Sequence, residues 1–235
     1  MFIDDFFSTP NGNVCFTREQ GSRFAKEVAD DFNPLHDVDA KRFCIPGDLL
    51  FSVVLSRYGV NQHMEFTFSG MVVEDVELIF PDPAGHLMIR DAEERDYLDI
   101  ERGGDNSVDE TLITNLTRNY VEFSGHTFPH VLEPLLASED VMINPGRPMV
   151  IYVGMTIDLD RLDVSNPVLV GGEHKVEISG KRGNVELVFN LVENGEVVGR
   201  GAKRMVLSGL KAYDKIAMDA AVTEYNDRKQ AYFGR

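Results

Sequence analysis

Between residues 29 and 50 the chain reads ADDFNPLHDVDAKRFCIPGDLL, which puts a carboxylate, a carboxamide and an imidazole, Asp31, Asn33 and His36, within six positions. Carboxylate and imidazole are side chains suited to passing protons near neutral pH. Held on one loop, Asp31 and His36 could share one water, which is what general acid–base chemistry on that water needs. The same residues also have an ordinary reading. Asn-Pro after a helix is a stop signal, Asp31 can close the helix before it, and an isolated Asp-x4-His pair usually carries no chemistry. What the loop faces decides between the two, and that depends on the elements around it.

Upstream, Asn13 to Phe16 predict a short strand, and Thr17-Arg-Glu-Gln20 has the capping-box pattern that starts a helix. Phe24, Ala25, Val28 and Phe32 recur at helical spacing opposite Arg23, Lys26, Glu27 and Asp30. That helix covers a core with one face and ends at Asn33, before Pro34. Downstream, Gly47 to Gly59 encloses Leu49, Leu50, Phe51, Val53, Val54 and Leu55 with hardly any polar face, the pattern of a buried helix. The motif loop therefore joins a surface helix to a buried one. Asp48, at the start of the buried helix, complements the helix dipole and caps free amides.

Strand-like runs follow at 63–73, 76–80, 86–91, 97–101 and 112–123. After Pro129 the plan repeats, with an apolar helical stretch over 131–143 and strands at 149–157, 174–178, 185–192 and 197–207. Asn194-Gly195 marks a hairpin turn. The segment 211–233 reads as an amphipathic tail helix. FSGMVV at 68–73 is echoed by YVGMTI at 152–157, and Gly70 and Gly154 stand 84 residues apart, as do Pro83 and Pro167. A duplicated unit explains the echo. The expected organisation is a first repeat over 1–125, a second over 126–210 without the Asp-x-Asn-Pro-x-His motif, and a helical tail over 211–235.

Composition narrows the function classes. The chain has 235 residues, enough for a sizeable core, and 39 acidic against 23 basic side chains give a net charge of −16. Such a charge repels nucleic acid and anionic lipid. No run approaches the roughly 18 apolar residues of a membrane span, and MFIDDFF lacks the features of a signal peptide, so a cytoplasmic protein is expected. Cys15 and Cys44 are too few for a disulfide framework and read as small packing residues.

Taken together, a repeated helix wrapped by an antiparallel sheet resembles the hot-dog fold, and two in one chain resemble a double hot dog, an α+β architecture with a C-terminal helix. The resemblance implies that the two sheets pair edge to edge and mimic the dimer of single-repeat relatives. Asp31-Phe-Asn33-Pro34-Leu35-His36, with Asp39 and a Pro-Gly helix start beyond, resembles the hydratase motif of the MaoC-like proteins, R-specific enoyl-thioester hydratases and 3-hydroxyacyl dehydratases. Five of the six specified positions of Gly-Asp-x-Asn-Pro-Leu/Ile/Val-His are present. The stretch from FTREQ through PGDLLF is also similar to a group of uncharacterised gammaproteobacterial proteins.

The MaoC resemblance implies fatty-acid-type chemistry on an acyl-CoA or other acyl thioester, with no metal and no redox cofactor. It makes Asp31 the acid/base, has His36 share in activating water, and gives Asn33 the task of orienting the loop. Gly47 would offer its N–H and the positive end of the helix dipole to the thioester carbonyl, while Lys41 and Arg42 would meet phosphates of the carrier. It leaves a homodimer of double hot dogs open, and the fold also hosts thioesterases and non-catalytic thioester binders. Two features depart from the motif. Its leading glycine is Asp30, a second carboxylate beside Asp31, and His36 reaches Gly47 in eleven residues, with Asp48 in place of a methionine. His126, His130 and Glu133 have a spacing that could suggest a metal, but Pro129 interrupts it.

Overall fold

The computed structural model describes residues 1–234. The first helix, α1 (Arg18–Glu27), starts in the expected capping box: the Thr17 hydroxyl accepts from the Gln20 N–H, and the Gln20 side chain accepts from the Thr17 N–H. It ends six residues short of Asn33. The chain leaves it through Asp30, in the left-handed region at φ 54°, and the Asp31 N–H returns 2.7 Å to the Ala25 carbonyl. A left-handed residue closing the last turn, rather than the proline, terminates the helix. After the motif loop comes α2 (Gly47–Tyr58), buried on almost all sides and closed by Gly59 at φ 78°.

Three strands follow: β1 (Val60–Phe68), β2 (His86–Arg90) and β3 (Asp96–Ser107). The run at 76–80 forms only isolated bridges, Leu78 to Val14 and Ile79 to Arg90. The stretch 112–123 is not a strand but the core of a helix, α3 (Glu110–Gly125), begun by Asp109, whose carboxylate accepts from the Leu112 N–H at 2.8 Å. Its Thr, Ile, Val, Tyr and Phe residues favour strands by type, yet the buried Leu112, Ile113, Leu116, Tyr120 and Val121 recur at helical period.

The long helix expected over 131–143 is also absent. That region holds α4 (Thr127–His130), α5 (Leu132–Ala137) and a two-residue strand, β4 (Val141–Met142). The remaining strands are β5 (Val150–Leu159), β6 (Val168–Gly171), β7 (Lys175–Ser179), β8 (Arg182–Glu193), β9 (Glu196–Ser208) and β10 (Lys211–Ala212), with α6 (Lys215–Phe233) as the tail. Asn194 and Gly195, both at positive φ, turn β8 into β9.

Eight strands form one antiparallel sheet in the order β2-β3-β1-β5-β9-β8-β6, with β7 also on β8. The two halves meet where β1 pairs with β5, from His63 opposite Asp158 to Thr67 opposite Gly154. Gly154 is fixed there because a Cβ would collide with the Phe66 carbonyl of β1. Gly70 lies beyond the end of β1, so the 84-residue echo does not relate equivalent places. Residues 126–149 separate α3 from β5, where Gly59 alone separates α2 from β1.

Two helices, α2 and α3, are buried against this sheet. Phe51 of α2 packs on Phe66 of β1 and on Tyr120 of α3, with ring centres 5.2 and 4.7 Å apart. Tyr120 and Phe123 of α3 pack in turn on Phe189 of β8. One core therefore runs through both halves. Two helices wrapped by one sheet of two antiparallel halves make this an α+β double hot-dog fold with a C-terminal helix.

Candidate active site

The motif loop is built by its own side chains. Asp31 Oδ1 accepts from the Asn33 N–H at 2.8 Å, and Asn33 Oδ1 accepts from the Leu35 N–H at 3.1 Å. These turns set up one turn of 3-10 helix over Pro34–His36. Asn33 is thus hydrogen-bonded within the loop through both its N–H and its side-chain oxygen. The turn aims His36 inward, where Nδ1–H donates to the Cys44 carbonyl at 2.8 Å. That bond leaves Nε2 facing Asp31 Oδ2 across 3.7 Å. His36 is buried and Asp31 half-buried.

Burial works against a charged His36 ring. The Cys44 thiol and carbonyl at Nδ1 and the Asp31 carboxylate outweigh it and raise the imidazole pKa to about 9. His36 is therefore an imidazolium at neutral pH.

Asp30 does not crowd Asp31. Its carboxylate is turned outward to His126 Nε2 at 2.8 Å and to the Lys229 ammonium of α6. Its positive φ also accounts for a glycine at this place in the motif, since only glycine takes that backbone freely. His126 is thus committed to Asp30, and Glu133 accepts from the Tyr213 hydroxyl at 2.7 Å.

Helix α6 lies over the loop as a strap. The Tyr225 hydroxyl accepts from the Phe32 N–H at 3.1 Å and donates to the Asp30 carbonyl, and Arg228 reaches Asp37 at 3.1 Å. Phe32 packs edge-on against Tyr225, Tyr232 and Phe233. A cleft of about 340 Å³ opens between α1, the loop and α6, lined by Ser22, Lys26, Asp37, Arg228 and Tyr232. A larger cleft, near 700 Å³, lies around Asp140, Lys181 and Leu210 and includes none of the motif residues.

At the inner side of the loop stands a group the sequence did not bring together. Asp48, at the start of α2, does not cap amides there. It is buried, and its Oδ2 accepts from the Ser124 hydroxyl near the end of α3 at 2.5 Å. Ser124 Oγ accepts in turn from the Lys203 ammonium of β9, also at 2.5 Å. Burial pushes the Asp48 carboxyl up and the Lys203 amine down, and each charge opposes the shift of the other. The Lys203 ammonium also sits 4.6 Å from the centre of the Tyr152 ring. Tyr152 and Tyr120 share a hydroxyl–hydroxyl bond, and burial holds both phenols well above their ordinary pKa.

Gly47 is where the motif expects the thioester carbonyl. A Cβ on it would come 3.1 Å from the Phe68 ring and 3.2 Å from the Tyr152 ring, so two aromatic side chains pack on that helix start. Lys41 and Arg42 stand exposed in the turn beyond His36. The structure brings Asp31, Asn33 and His36 together; Lys41 and Arg42 lie on the surface near them in sequence.

The fold and this loop define an α+β double hot-dog protein with one motif-bearing half. The chain belongs to the family described as Protein of unknown function (DUF3581), whose model matches residues 1–216 and stops as α6 begins. No curated protein matches it. Among solved structures it is similar to the tesB protein of Mycobacterium avium subsp. paratuberculosis, at 9% identity and TM-score 0.44, covering 70% of this chain and 87% of that one. It is also similar to the dehydratase domain of PpsC from Mycobacterium tuberculosis in complex with C12:1-CoA, at 12% identity and TM-score 0.39, covering 70% and 85%. A third likeness is to a putative oleoyl thioesterase from Lactobacillus plantarum, at 9% identity and TM-score 0.39, covering 83% and 90%. The activities in those names belong to those proteins.

Proposed function

We propose that the protein acts on acyl thioesters, hydrating a 2-enoyl thioester or dehydrating its 3-hydroxyacyl form, in the manner of the MaoC-like proteins. The observation that supports this reading is the gap between Asp31 Oδ2 and His36 Nε2. At 3.7 Å it is too long for a direct hydrogen bond, and one water at ordinary distance from both atoms spans it. The other atom of each group is already spent, Asp31 Oδ1 on Asn33 and His36 Nδ1 on Cys44, so both point a single atom at the same place.

In this reading Asp31 Oδ2 takes a proton from the water as its oxygen adds to C3, and returns that proton to the α-carbon. The His36 imidazolium donates a hydrogen bond to the water and holds it. The dipole of α2 favours the negative charge that builds on the thioester carbonyl. CoA is the favoured carrier, because an acyl carrier protein is acidic and this chain carries −16. Lys41 and Arg42 are then the residues for its phosphates. The division between the repeats falls in this reading at the turn between β3 and α3, which gives each repeat one buried helix.

The packing of Phe68 and Tyr152 on Gly47 favours a second reading, a non-catalytic thioester binder with a closed acyl site. Hydration of short, medium and long trans-2-enoyl-CoAs by the purified protein separates the two, with Asp31→Asn and His36→Ala alongside and thiol release followed in the same samples. Hydration lost in both variants supports the hydratase. Thiol release moves the protein to the thioesterases, and binding without turnover leaves the binder.

A further inference from the structure

In hydration only one of the two protons of water leaves its oxygen. In the reading above Asp31 takes it, while the other stays on the oxygen as it becomes the 3-hydroxyl, and it needs an acceptor of its own. Asp48 Oδ1 is a buried oxygen with no hydrogen-bond partner, alone in this among the carboxylates of the described residues. Leaving such an atom unpaired costs free energy, so in a polar site it is where a donor from water or a ligand belongs. Asp48 comes four residues after Cys44, whose carbonyl holds His36 Nδ1, and its partner Ser124 adjoins Gly125, which abuts the backbone of Ala29 two residues before Asp31.

Its other oxygen is held from the second half of the chain. Ser124 donates to Oδ2, and because Lys203 donates to Ser124 Oγ, the serine proton has to point at Asp48. Lys203 also reaches the Ser124 carbonyl at 3.4 Å, which fixes the ammonium at the end of α3. The carboxylate is thereby set with Oδ1 facing away from the serine.

We infer that Asp48 Oδ1 accepts the hydrogen bond of the retained O–H, from the reacting water before addition and from the 3-hydroxyl after it, with Ser124 and Lys203 as positioning residues. No proton is transferred to Asp48, so the balance of the reaction is unchanged. This inference rests on the hydratase reading and deepens it: the site would prefer a 3-hydroxyacyl thioester to the saturated acyl thioester of the same length.

Asp48→Asn tests it. With its oxygen facing Ser124, the asparagine presents an N–H₂ where Oδ1 stood, a donor in place of an acceptor. The full chain should bind 3-hydroxyacyl-CoA more tightly than the saturated acyl-CoA, and Asp48→Asn should lose about tenfold of that preference, the worth of one hydrogen bond, while binding the saturated compound as before. Its kcat for enoyl-CoA hydration should fall by a similar factor with KM little changed. Ser124→Ala, which frees the carboxylate to turn, should lose part of the preference and serves where Asp48→Asn does not fold. An unchanged preference in both variants, with Asp31→Asn inactive, overturns the role of Asp48 and leaves the hydratase reading standing. No turnover and no preference in the wild type overturns both.

Discussion

Gly125, the last residue of α3, stands where any Cβ would overlap the backbone carbonyl of Ala29, two residues before Asp31. Helix α3 therefore ends in backbone contact with the root of the motif loop, and the residues on either side of Gly125, His126 and Ser124, reach Asp30 and Asp48.

Gly125→Ala should accordingly destabilise the protein. Overpacking at a rigid site costs about 1–3 kcal/mol, and a backbone neighbour has little room to give. Urea unfolding of the variant should show a lower midpoint at an unchanged slope. A midpoint equal to that of the wild type would mean that the two segments part easily.

His36 ties stability to pH. Its folded pKa of about 9 lies above the unfolded value of 6.5, so the native state holds the proton more tightly. The stabilisation is fully present below pH 6.5 and is lost as pH rises through about 9, for a total of about 3 kcal/mol. Urea midpoints taken from pH 6 to 10 should fall in the wild type more steeply than in His36→Gln. Parallel curves would rule this linkage out. In the hydratase reading, turnover should decline over the same alkaline limb.

The buried pair Asp48 and Lys203 should behave as a unit. Lys203→Met strands the carboxylate and should cost about 3–5 kcal/mol, whereas the double variant Lys203→Met/Asp48→Leu should recover much of that loss. A double-mutant cycle by chemical unfolding measures the coupling, and additive losses would show that the serine bridge does not link them.

The strap makes a local prediction. Tyr225→Phe removes the acceptor of the Phe32 N–H and should speed exchange of that amide by about tenfold, the equivalent of a hydrogen bond worth about 1.4 kcal/mol, with amides in β8 unaffected. Hydrogen exchange resolved by residue decides it; equal rates at Phe32 would show that the strap does not secure the loop.

Much of this architecture was legible because its signals are local. The Thr17–Gln20 box, the all-apolar run of α2 and the Asn194-Gly195 hairpin each lie within a few residues, and each formed. The helix α3 is masked in the sequence because its β-branched and aromatic residues favour a strand and outweigh a helical period. The motif loop was legible for the same reason as the turns, since Asp31, Asn33 and His36 organise one another. Ser124 and Lys203 were not, because Ser124 meets Asp48 only across 76 residues of chain and Lys203 meets Ser124 only across another 79. One signal was available: in β9 Lys203 falls in phase with the buried Gly201, Met205 and Leu207, a charged residue on the inward face.

The pairing of β1 with β5 inside one chain has a consequence for symmetry. In a dimer of identical subunits whatever stands on one side of that seam must stand on the other, so a loop that brings a carboxylate brings two, and an ammonium to face it must be duplicated as well. A covalent join lifts that constraint. Asp31, His36 and Asp48 come from the loop and helix that precede β1, and Ser124 and Lys203, which follow in the chain, need not repeat them, so the Asp48 carboxylate and the Lys203 ammonium meet through Ser124 at a single asymmetric centre.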